Sequence, residues 1–176
     1  MIALVEDLEE ISKLESVNLE LNIEPFNLYD LATEVIDFME QKAILNKTKI
    51  IINPTASKSV KVLADIQRIR QVLINLIDNA IKYGNINDPV ITISFYNFHN
   101  NYLIEIQDNG IGIPEENIVR VFERFYRTEE SRSRDKGGTG LGLAIVKHII
   151  EAHRQTISVR SNLGEGTTFS FTLKMV

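Results

Sequence analysis

Apolar residues recur at helical spacing in several stretches of the chain, and each stretch predicts a helix with one buried face. Asn27 and Asp65 directly precede two of these helices. Both are suitable N-caps, because a short polar side chain can accept hydrogen bonds from the first free backbone N–H groups. Pro114, followed by two glutamates, starts a further helix. The main predicted helices cover residues 1–17, 28–45, 66–83 and 141–153.

Strands are predicted where β-branched and aromatic residues alternate with polar ones over short distances. Two pairs of strands are close enough in sequence to form hairpins, one around His99-Asn100-Asn101 and one around Asn162-Leu-Gly-Glu-Gly166. Because these hairpins interrupt an alternation of helices and strands, we expect an α/β fold with a mixed sheet. The predicted strands cover residues 49–52, 60–63, 90–98, 102–108, 155–160 and 167–174.

One long segment has no such pattern. Residues 124–138 contain arginines, serines and acids, with almost no apolar residue after Tyr126. A connection of this length inside a compact domain is more often a lid or a binding loop than a plain connector. We therefore predict a lid over about residues 124–139.

Composition narrows the class of protein. The chain has 176 residues, 44% hydrophobic and 24% charged, which suits one globular domain with a full core. With 19 basic and 24 acidic residues the net charge is −5, so nucleic acid is not expected as a partner. The sequence has no cysteine, which excludes disulfides and thiolate metal sites. No apolar run approaches the length of a membrane span, so we expect a cytoplasmic chain.

The predicted helix at 66–83 carries the first sign of chemistry. Asn75 and Asn79 lie one turn apart on a face separate from the apolar stripe, together with Lys82. Asparagine is a poor helix former, because its amide competes with the backbone for hydrogen bonds. A row of neutral oxygen ligands ending in a lysine suits Mg²⁺ shared with a polyanion such as a phosphate chain. Alone, the same pattern also fits a solvated helix face.

The strand at 102–108 ends in a carboxylate, Asp108, on its apolar face. An unpaired carboxylate is costly to bury. The following Asn109-Gly110 is by itself an ordinary turn, but Gly112 and Ile113 extend it. Alternating glycines let the backbone approach a flat group such as an adenine ring, whose amine would satisfy the carboxylate.

A glycine-rich run, Gly137-Gly138-Thr139-Gly140-Leu141-Gly142, opens directly into the last predicted helix. The start of a helix offers free backbone N–H groups and a positive dipole end, which favour an anion. The run lacks the lysine and hydroxyl residue of the Walker motif, and it does not follow a strand as the dinucleotide fingerprint does. A flexible hinge is the alternative interpretation. Among the arginines ahead of the run, Arg127 is the candidate ligand, because the aromatic segment 122–126 lies beside it.

Taken in order, these signals closely resemble the five sequence boxes of bacterial sensor histidine kinases. That superfamily also includes gyrase, the ninety-kilodalton heat-shock chaperones and the mismatch-repair ATPases. The resemblance covers about residues 20–174, and it implies a Bergerat-type ATP-binding fold, a two-layer α/β sandwich with helices on one face of a mixed sheet. The five boxes are Asn75 to Tyr83, Asp108 to Gly112, Phe122 to Phe125, Gly138 to Gly142 and Gly164 to Thr167.

The resemblance also implies ATP and Mg²⁺ as ligands and gives roles to individual residues. Asn79 is similar to the Mg²⁺ ligand, with Asn75 as its polar helper near the phosphates. Asp108 is similar to the aspartate that reads adenine. Arg127 matches a lid-side arginine placed to reach the terminal phosphate. Asn75 and Arg127 are therefore the expected catalytic residues.

Further roles follow from the same resemblance. Lys82 would meet phosphate, Tyr83 would pack against the base, and Thr167, which shares parity with two phenylalanines of its strand, would face the pocket. Glycines of the fourth box would form the hinge and the phosphate-facing end of the lid. The full set of expected ATP-binding residues is Asn75, Asn79, Lys82, Tyr83, Asp108, Gly110, Gly112, Ile113, Gly138, Thr139, Gly140, Leu141, Gly142 and Thr167.

Two departures from related sequences bear on the reaction. Hydrolytic members of the superfamily carry a glutamate four residues before the metal-binding asparagine, and this chain has Asn75 there. A neutral amide cannot accept the proton of an attacking water, so the site suits transfer to another nucleophile. The phosphoacceptor motif is also missing. Because residues 1–17 resemble the end of the second dimerisation helix, we expect the acceptor histidine upstream and the catalytic domain at residues 18–176.

The resemblance therefore predicts the Mg·ATP-binding domain of a histidine kinase, which phosphorylates a histidine on a separate dimerisation domain. Its parent would be anchored in the inner membrane and would pair with the receiver domain of a response regulator. A serine kinase of the anti-sigma type shares such a pocket, but the dimerisation-helix remnant argues against it. A nucleotide-gated interaction module without transfer activity is the second alternative, and the intact Asn79, Asp108 and glycines argue against that.

Overall fold

Seven strands and four helices make up the part of the chain that the structure, a computed structural model, describes, namely residues 20–85, 87–127 and 139–176. The strands are β1 Glu24–Asn27, β2 Lys49–Ile52, β3 Lys61–Ala64, β4 Val90–Phe98, β5 Asn101–Asp108, β6 Ile157–Asn162 and β7 Gly166–Met175. The helices are α1 Leu28–Leu45, α2 Ile66–Tyr83, α3 Glu115–Ile118 and α4 Gly142–Ala152. The predicted helix over residues 1–17 and most of the predicted lid lie outside the described residues.

The strands form one mixed sheet, in the order β1-β3-β7-β5-β4-β2. Strand β6 also pairs with β7, along the first half of β7, whose last residues pair with β3. The pair β2–β4 is parallel, and the other pairs are antiparallel. The expected mixed sheet is therefore confirmed. The long pairings of β5 with β4 and β7 place the end of β5 at Asp108 beside the start of β7.

Helices α1, α2 and α4 cover one face of this sheet, and a single hydrophobic core lies between the two layers. The strand residues that face the helices alternate along each strand, as the pleat requires. The opposite face is polar, and there the guanidinium of Arg160 lies 2.6 Å from the carboxylate of Glu105. Buried strand residues of the core include Val62, Ala64, Ile91, Ile93, Phe95, Ile104, Ile106, Phe169, Phe171 and Leu173.

The sequence missed strand β1, which contains Pro25. Proline lacks the N–H that a ladder needs, but β1 is the edge strand of the sheet, where this loss is tolerated. The helix predicted from Pro114 is one turn long and is followed by turns. Strand β6 begins at Ile157, two residues later than predicted, and β7 begins one residue earlier, at Gly166.

The start of α2 is fixed by a small hydrogen-bond network around Asp65. Its carboxylate accepts from the backbone N–H groups of Gln67 at 3.0 Å and Arg68 at 3.1 Å. Its own backbone N–H donates to Nε2 of His153 at 3.0 Å, while Nδ1 of that ring lies 2.7 Å from the carbonyl of Ile149. The imidazole is therefore neutral with its proton on Nδ1, and it ties the end of α4 to the start of α2.

We expect Asp65→Ala to lower the free energy of unfolding by about 1–2 kcal/mol, because two N–H groups of α2 lose their acceptor. Chemical denaturation followed by circular dichroism measures this change. Asp65→Asn, which keeps one acceptor oxygen, is the matched control and should lose less. Wild-type stability in the alanine variant would contradict the capping role.

Candidate functional site

Two of the predicted site residues, Asn75 and Asn79, lie half-buried on a face of α2 away from its buried stripe. Within the described residues, neither side chain makes a hydrogen bond. Gly142, the first residue of α4, lies over Asn75: a Cβ added there would be 3.5 Å from the Asn75 amide oxygen. The fold therefore brings the asparagine box and the last part of the glycine run together, although 67 positions separate them.

The start of α4 has no side-chain cap of its own at Leu141. The Leu141 N–H donates to the hydroxyl of Thr139 at 3.3 Å, and the Leu141 side chain is fully buried. The next N–H groups of the helix begin beside the Asn75 amide. Unpaired N–H groups and the positive end of a helix dipole are suited to bind phosphate, as the sequence indicated.

Lys82 makes an ion pair with Asp78, its neighbour one turn earlier on α2, with 2.7 Å between Nζ and Oδ2. Lys42 of α1 also hydrogen bonds to Asp78. Burial acts to raise the pKa of Asp78, but the hydrogen bonds and charges of the two lysines outweigh it and lower that pKa below its usual value. A phosphate group that binds Lys82 must therefore compete with Asp78.

The loop after β5 is wedged between the end of α2 and the turn that joins β6 to β7. A Cβ added at Gly110 would lie 2.0 Å from the carbonyl oxygen of Tyr83, and one at Gly112 would lie 2.1 Å from that of Asn162. Gly112 also has a φ of +73°, which other residues rarely adopt. Both glycines are thus required by close backbone packing within the protein, a cause that sequence reasoning missed.

Hydrogen bonds close this wedge on both sides. The N–H of Ile111 donates to the Tyr83 carbonyl at 3.1 Å, and the Ile111 carbonyl accepts from Gly164 N–H at 2.7 Å. The N–H of Ile113 donates to the hydroxyl of Ser161 at 2.8 Å. Tyr83 and Ile113, two predicted base contacts, are both half-buried, and the backbone of each takes part in these hydrogen bonds.

Asp108 lies at the centre of this arrangement and is only 5% exposed. One carboxylate oxygen accepts the N–H of Gly110 at 2.8 Å. Burial raises the pKa of Asp108 to about 6, against the opposing effect of the backbone N–H groups of Gly110 and Thr167. Among the described residues, no cation contributes to this shift. A buried carboxylate in such surroundings is suited to accept a hydrogen bond from a ligand amine.

Thr167 lies directly opposite Asp108 in the β5–β7 pairing, on the same face of the sheet, and it is 6% exposed. Its hydroxyl lies 2.9 Å from that of Ser161 on β6, which in turn donates to the Gly166 carbonyl at 2.8 Å. Thr167 was predicted, whereas Ser161 was not. The only sequence signal for Ser161 was its position on the covered face of a hairpin next to the last glycine box.

The two sides of the predicted lid meet at a backbone hydrogen bond. The N–H of Phe125 donates to the carbonyl of Gly140 at 2.9 Å. Phe122 anchors the first side, with its ring edge against Phe169 at 6.1 Å between centroids. Arg127 is half-buried just beyond this junction. Gly138 lies outside the described residues, so its predicted role stays a prediction.

The described residues contain no cluster of three or more histidine, cysteine, aspartate or glutamate side chains that could hold a metal ion. The Asn75 and Asn79 amides remain as neutral oxygen donors. This set fits Mg²⁺, which uses few protein ligands and keeps waters and phosphate oxygens in its shell. In the same part of the chain, no helix is both long enough and apolar enough to cross a membrane.

Comparison with known proteins agrees with this geometry. Residues 64–176 match the family described as histidine kinase-, DNA gyrase B-, and HSP90-like ATPase. The sensor histidine kinase WalK of Bacillus subtilis is 38% identical over 176 residues, which cover 98% of this chain and 28% of WalK. The circadian input-output histidine kinase CikA of Synechococcus elongatus is 33% identical over 171 residues, covering 97% of this chain and 22% of CikA.

Solved structures show the same fold. The Acinetobacter baumannii histidine kinase AdeS has a TM-score of 0.79 at 33% identity, over 99% of this chain and 78% of that one. The catalytic domain of histidine kinase ThkA has a TM-score of 0.74 at 30% identity, over 87% of this chain and 95% of the ThkA chain. A complex of ThkA with the response regulator protein TrrA has a TM-score of 0.79 at 28% identity, over 99% of this chain and 47% of the matched chain. Full-length ShkA in complex with AMPPNP has a TM-score of 0.84 at 26% identity, over 99% of this chain and 36% of the ShkA chain.

The chain therefore belongs to the histidine kinase-, DNA gyrase B-, and HSP90-like ATPase family, and its fold is the expected Bergerat sandwich of histidine kinase catalytic domains. Family membership supports ATP as its ligand. The chain spans less than a third of the length of WalK and of CikA.

The raised pKa of Asp108 predicts how stability changes with pH in the absence of nucleotide. The folded protein keeps this proton up to about pH 6, whereas an unperturbed aspartate has a pKa of 3.8. The stabilisation is therefore present at low pH and is lost as pH rises through about 6. The free energy of unfolding of Asp108→Asn minus that of wild type should therefore increase by about 2–3 kcal/mol as pH rises from about 4 to about 7.

Urea denaturation at a series of pH values measures this difference. Glu105→Gln removes a carboxylate from the polar face of the same strand and serves as the control. A constant difference between wild type and Asp108→Asn across that range would show that the Asp108 carboxyl titrates normally.

Proposed function

We propose that residues 18–176 form a catalytic domain that binds Mg·ATP and transfers the γ-phosphoryl group to a histidine on a separate dimerisation domain. Residues 1–17 would be the end of the second helix of that domain. The observation that carries the proposal is the approach of the start of α4 to the Asn75 amide, one helical turn from Asn79. It gives one place where a metal-bound triphosphate finds both oxygen ligands and N–H donors.

The nucleotide would lie along this face of the sandwich, with its base at Asp108 and its phosphates at α4. The ionised carboxylate of Asp108 would accept a hydrogen bond from the adenine amine, and Tyr83 would pack against the ring. Asn79, helped by Asn75, would hold Mg²⁺, which neutralises part of the phosphate charge when bound. Lys82 and Arg127 would add positive charge on the phosphate side.

Transfer is favoured over hydrolysis because the phosphate end has no suitable general base among the described residues. Asn75 occupies the position where hydrolytic relatives carry a glutamate. Asp78, the carboxylate one turn away, is paired with Lys42 and Lys82 and has a lowered pKa. A weak base of this kind does not activate water efficiently. The protein's contribution is then to position ATP for an incoming histidine.

The proposed partners are an upstream dimerisation domain and the receiver domain of a response regulator. The ThkA–TrrA complex supports the second partner, since that histidine kinase forms a complex with a response regulator protein. Because ATP is a cytoplasmic substrate, we place this domain in the cytoplasm and the anchor of its parent in the inner membrane. Nothing in the net charge of −5 favours nucleic acid.

Asn79→Ala should abolish Mg²⁺-dependent binding of ATP, because the triphosphate loses the residue that fixes its counter-ion. Calorimetric titration with a non-hydrolysable ATP analogue, with and without Mg²⁺, measures the effect. Gln67→Ala removes an exposed amide from the first turn of the same helix and is the matched control. Unchanged Mg²⁺-dependent affinity in Asn79→Ala would refute the metal assignment.

The chain alone, incubated with γ-labelled ATP, should bind nucleotide yet neither label itself nor release phosphate at a meaningful rate. Adding a dimerisation domain from a related histidine kinase should give label on its histidine, labile to acid and stable to base, in a concentration-dependent manner. The reason is that phosphoryl transfer requires a nucleophile held in line, and none of the three histidines in the sequence has the acceptor motif.

Three other outcomes would each reject the kinase proposal. Brisk phosphate release that disappears in Asn79→Ala would make the domain a hydrolase. Acid-stable label would indicate a serine kinase instead. Nucleotide binding with no transfer to any acceptor domain would favour a nucleotide-gated interaction module.

A further inference from the structure

Ser161 is the meeting point of three segments around the base end of the site. It lies on β6 and faces the helices, like Thr167, with which it pairs in the β6–β7 ladder. Its hydroxyl oxygen lies 2.8 Å from the N–H of Ile113, 2.8 Å from the carbonyl of Gly166 and 2.9 Å from the hydroxyl of Thr167.

Counting protons in this cluster fixes the direction of each hydrogen bond. A serine hydroxyl has one proton and two lone pairs. The Gly166 carbonyl can only accept, so the Ser161 proton goes there. The Ile113 N–H can only donate, so it occupies one lone pair of Ser161. The remaining lone pair accepts the proton of Thr167.

The hydroxyl of Thr167 is therefore turned so that its proton points away from Asp108. Its lone pairs are then what it offers to a ligand on the Asp108 side, because its single proton is already used. Asp108 lies directly opposite Thr167 in the sheet, and both are nearly buried. An ionised carboxylate beside an accepting hydroxyl forms a surface that offers acceptors to a base.

We propose that Ser161 is a positioning residue for base selection: by holding Thr167 as an acceptor, it makes the site prefer a 6-amino purine over a 6-oxo purine. This inference rests on the proposed function, in which this site binds a purine nucleotide. Without Ser161, the Thr167 hydroxyl is free to rotate and to donate a hydrogen bond to a 6-oxygen. The preference would then relax although Asp108 and Thr167 are both intact.

The test compares affinities for Mg·ATP and Mg·inosine triphosphate, whose bases differ in the amino or oxo group at position 6 and the proton at N1. Calorimetry on the full chain gives the ratio of the two dissociation constants. A neutral hydrogen bond changes affinity about two- to tenfold, so Ser161→Ala should lower the preference for ATP by that factor. Ser161→Thr keeps the hydroxyl and should retain the wild-type ratio.

A double-mutant cycle shows whether Ser161 acts through Thr167. Thr167→Val should lower the ratio by itself, and adding Ser161→Ala in that background should change it no further. If Ser161 only holds the Ile113 loop, Ser161→Ala weakens both nucleotides equally and leaves the ratio unchanged, which would overturn the inference. A further drop of the ratio in the Thr167→Val background would overturn it as well.

Circular dichroism first establishes that each variant folds. If Ser161→Ala does not fold, Thr167→Val decides alone, and a wild-type ratio in that variant overturns the inference. Failure of the proposed function looks different, because the wild-type chain would then bind neither nucleotide.

Discussion

The site depends on one steric constraint, the passage of the loop after β5 between the end of α2 and the β6–β7 turn. Backbone atoms of Tyr83 and Asn162 come so close to Gly110 and Gly112 that no side chain fits at either position. The hydrogen bonds of Ile111 on both sides then lock helix, loop and hairpin together. Because this wedge fixes where β5 ends, it also fixes the burial of the Asp108 carboxylate, the group we propose for base recognition.

Much of the fold follows from sequence pattern alone. The periodic stretches at 28–45 and 66–83 coincide with α1 and α2, because long amphipathic helices are determined by their own residues. Strand β1 escaped detection since Pro25 is acceptable only at a sheet edge, and edge position is a tertiary property. The predicted site residues rest on motif order, whereas Ser161 and the Lys82–Asp78 ion pair depend on packing that a linear pattern does not contain.

Under the proposed function, base recognition and folding stability place opposite demands on Asp108. Near neutral pH the free domain keeps a desolvated carboxylate that burial disfavours. A ligand amine would relieve that cost, so part of the binding free energy comes from strain already present in the protein. Asp78 shows the opposite arrangement, since two lysines stabilise its charge and remove it from proton chemistry. The pKa values of these two aspartates thus shift in opposite directions because their neighbours differ.

Phe125 and Gly140 are joined by a backbone hydrogen bond. The geometry of the sandwich therefore does not depend on how many residues connect them. Both ends of that segment are held by the folded body, by the Phe122–Phe169 contact on one side and by buried Leu141 on the other. The entropy of closing a flexible loop rises by only about 0.6 kcal/mol for each doubling of its length. Insertions or deletions there leave the rest of the domain almost unaffected. Under the proposed function, the length of this one segment can therefore vary with the acceptor protein without altering the residues proposed to bind the nucleotide.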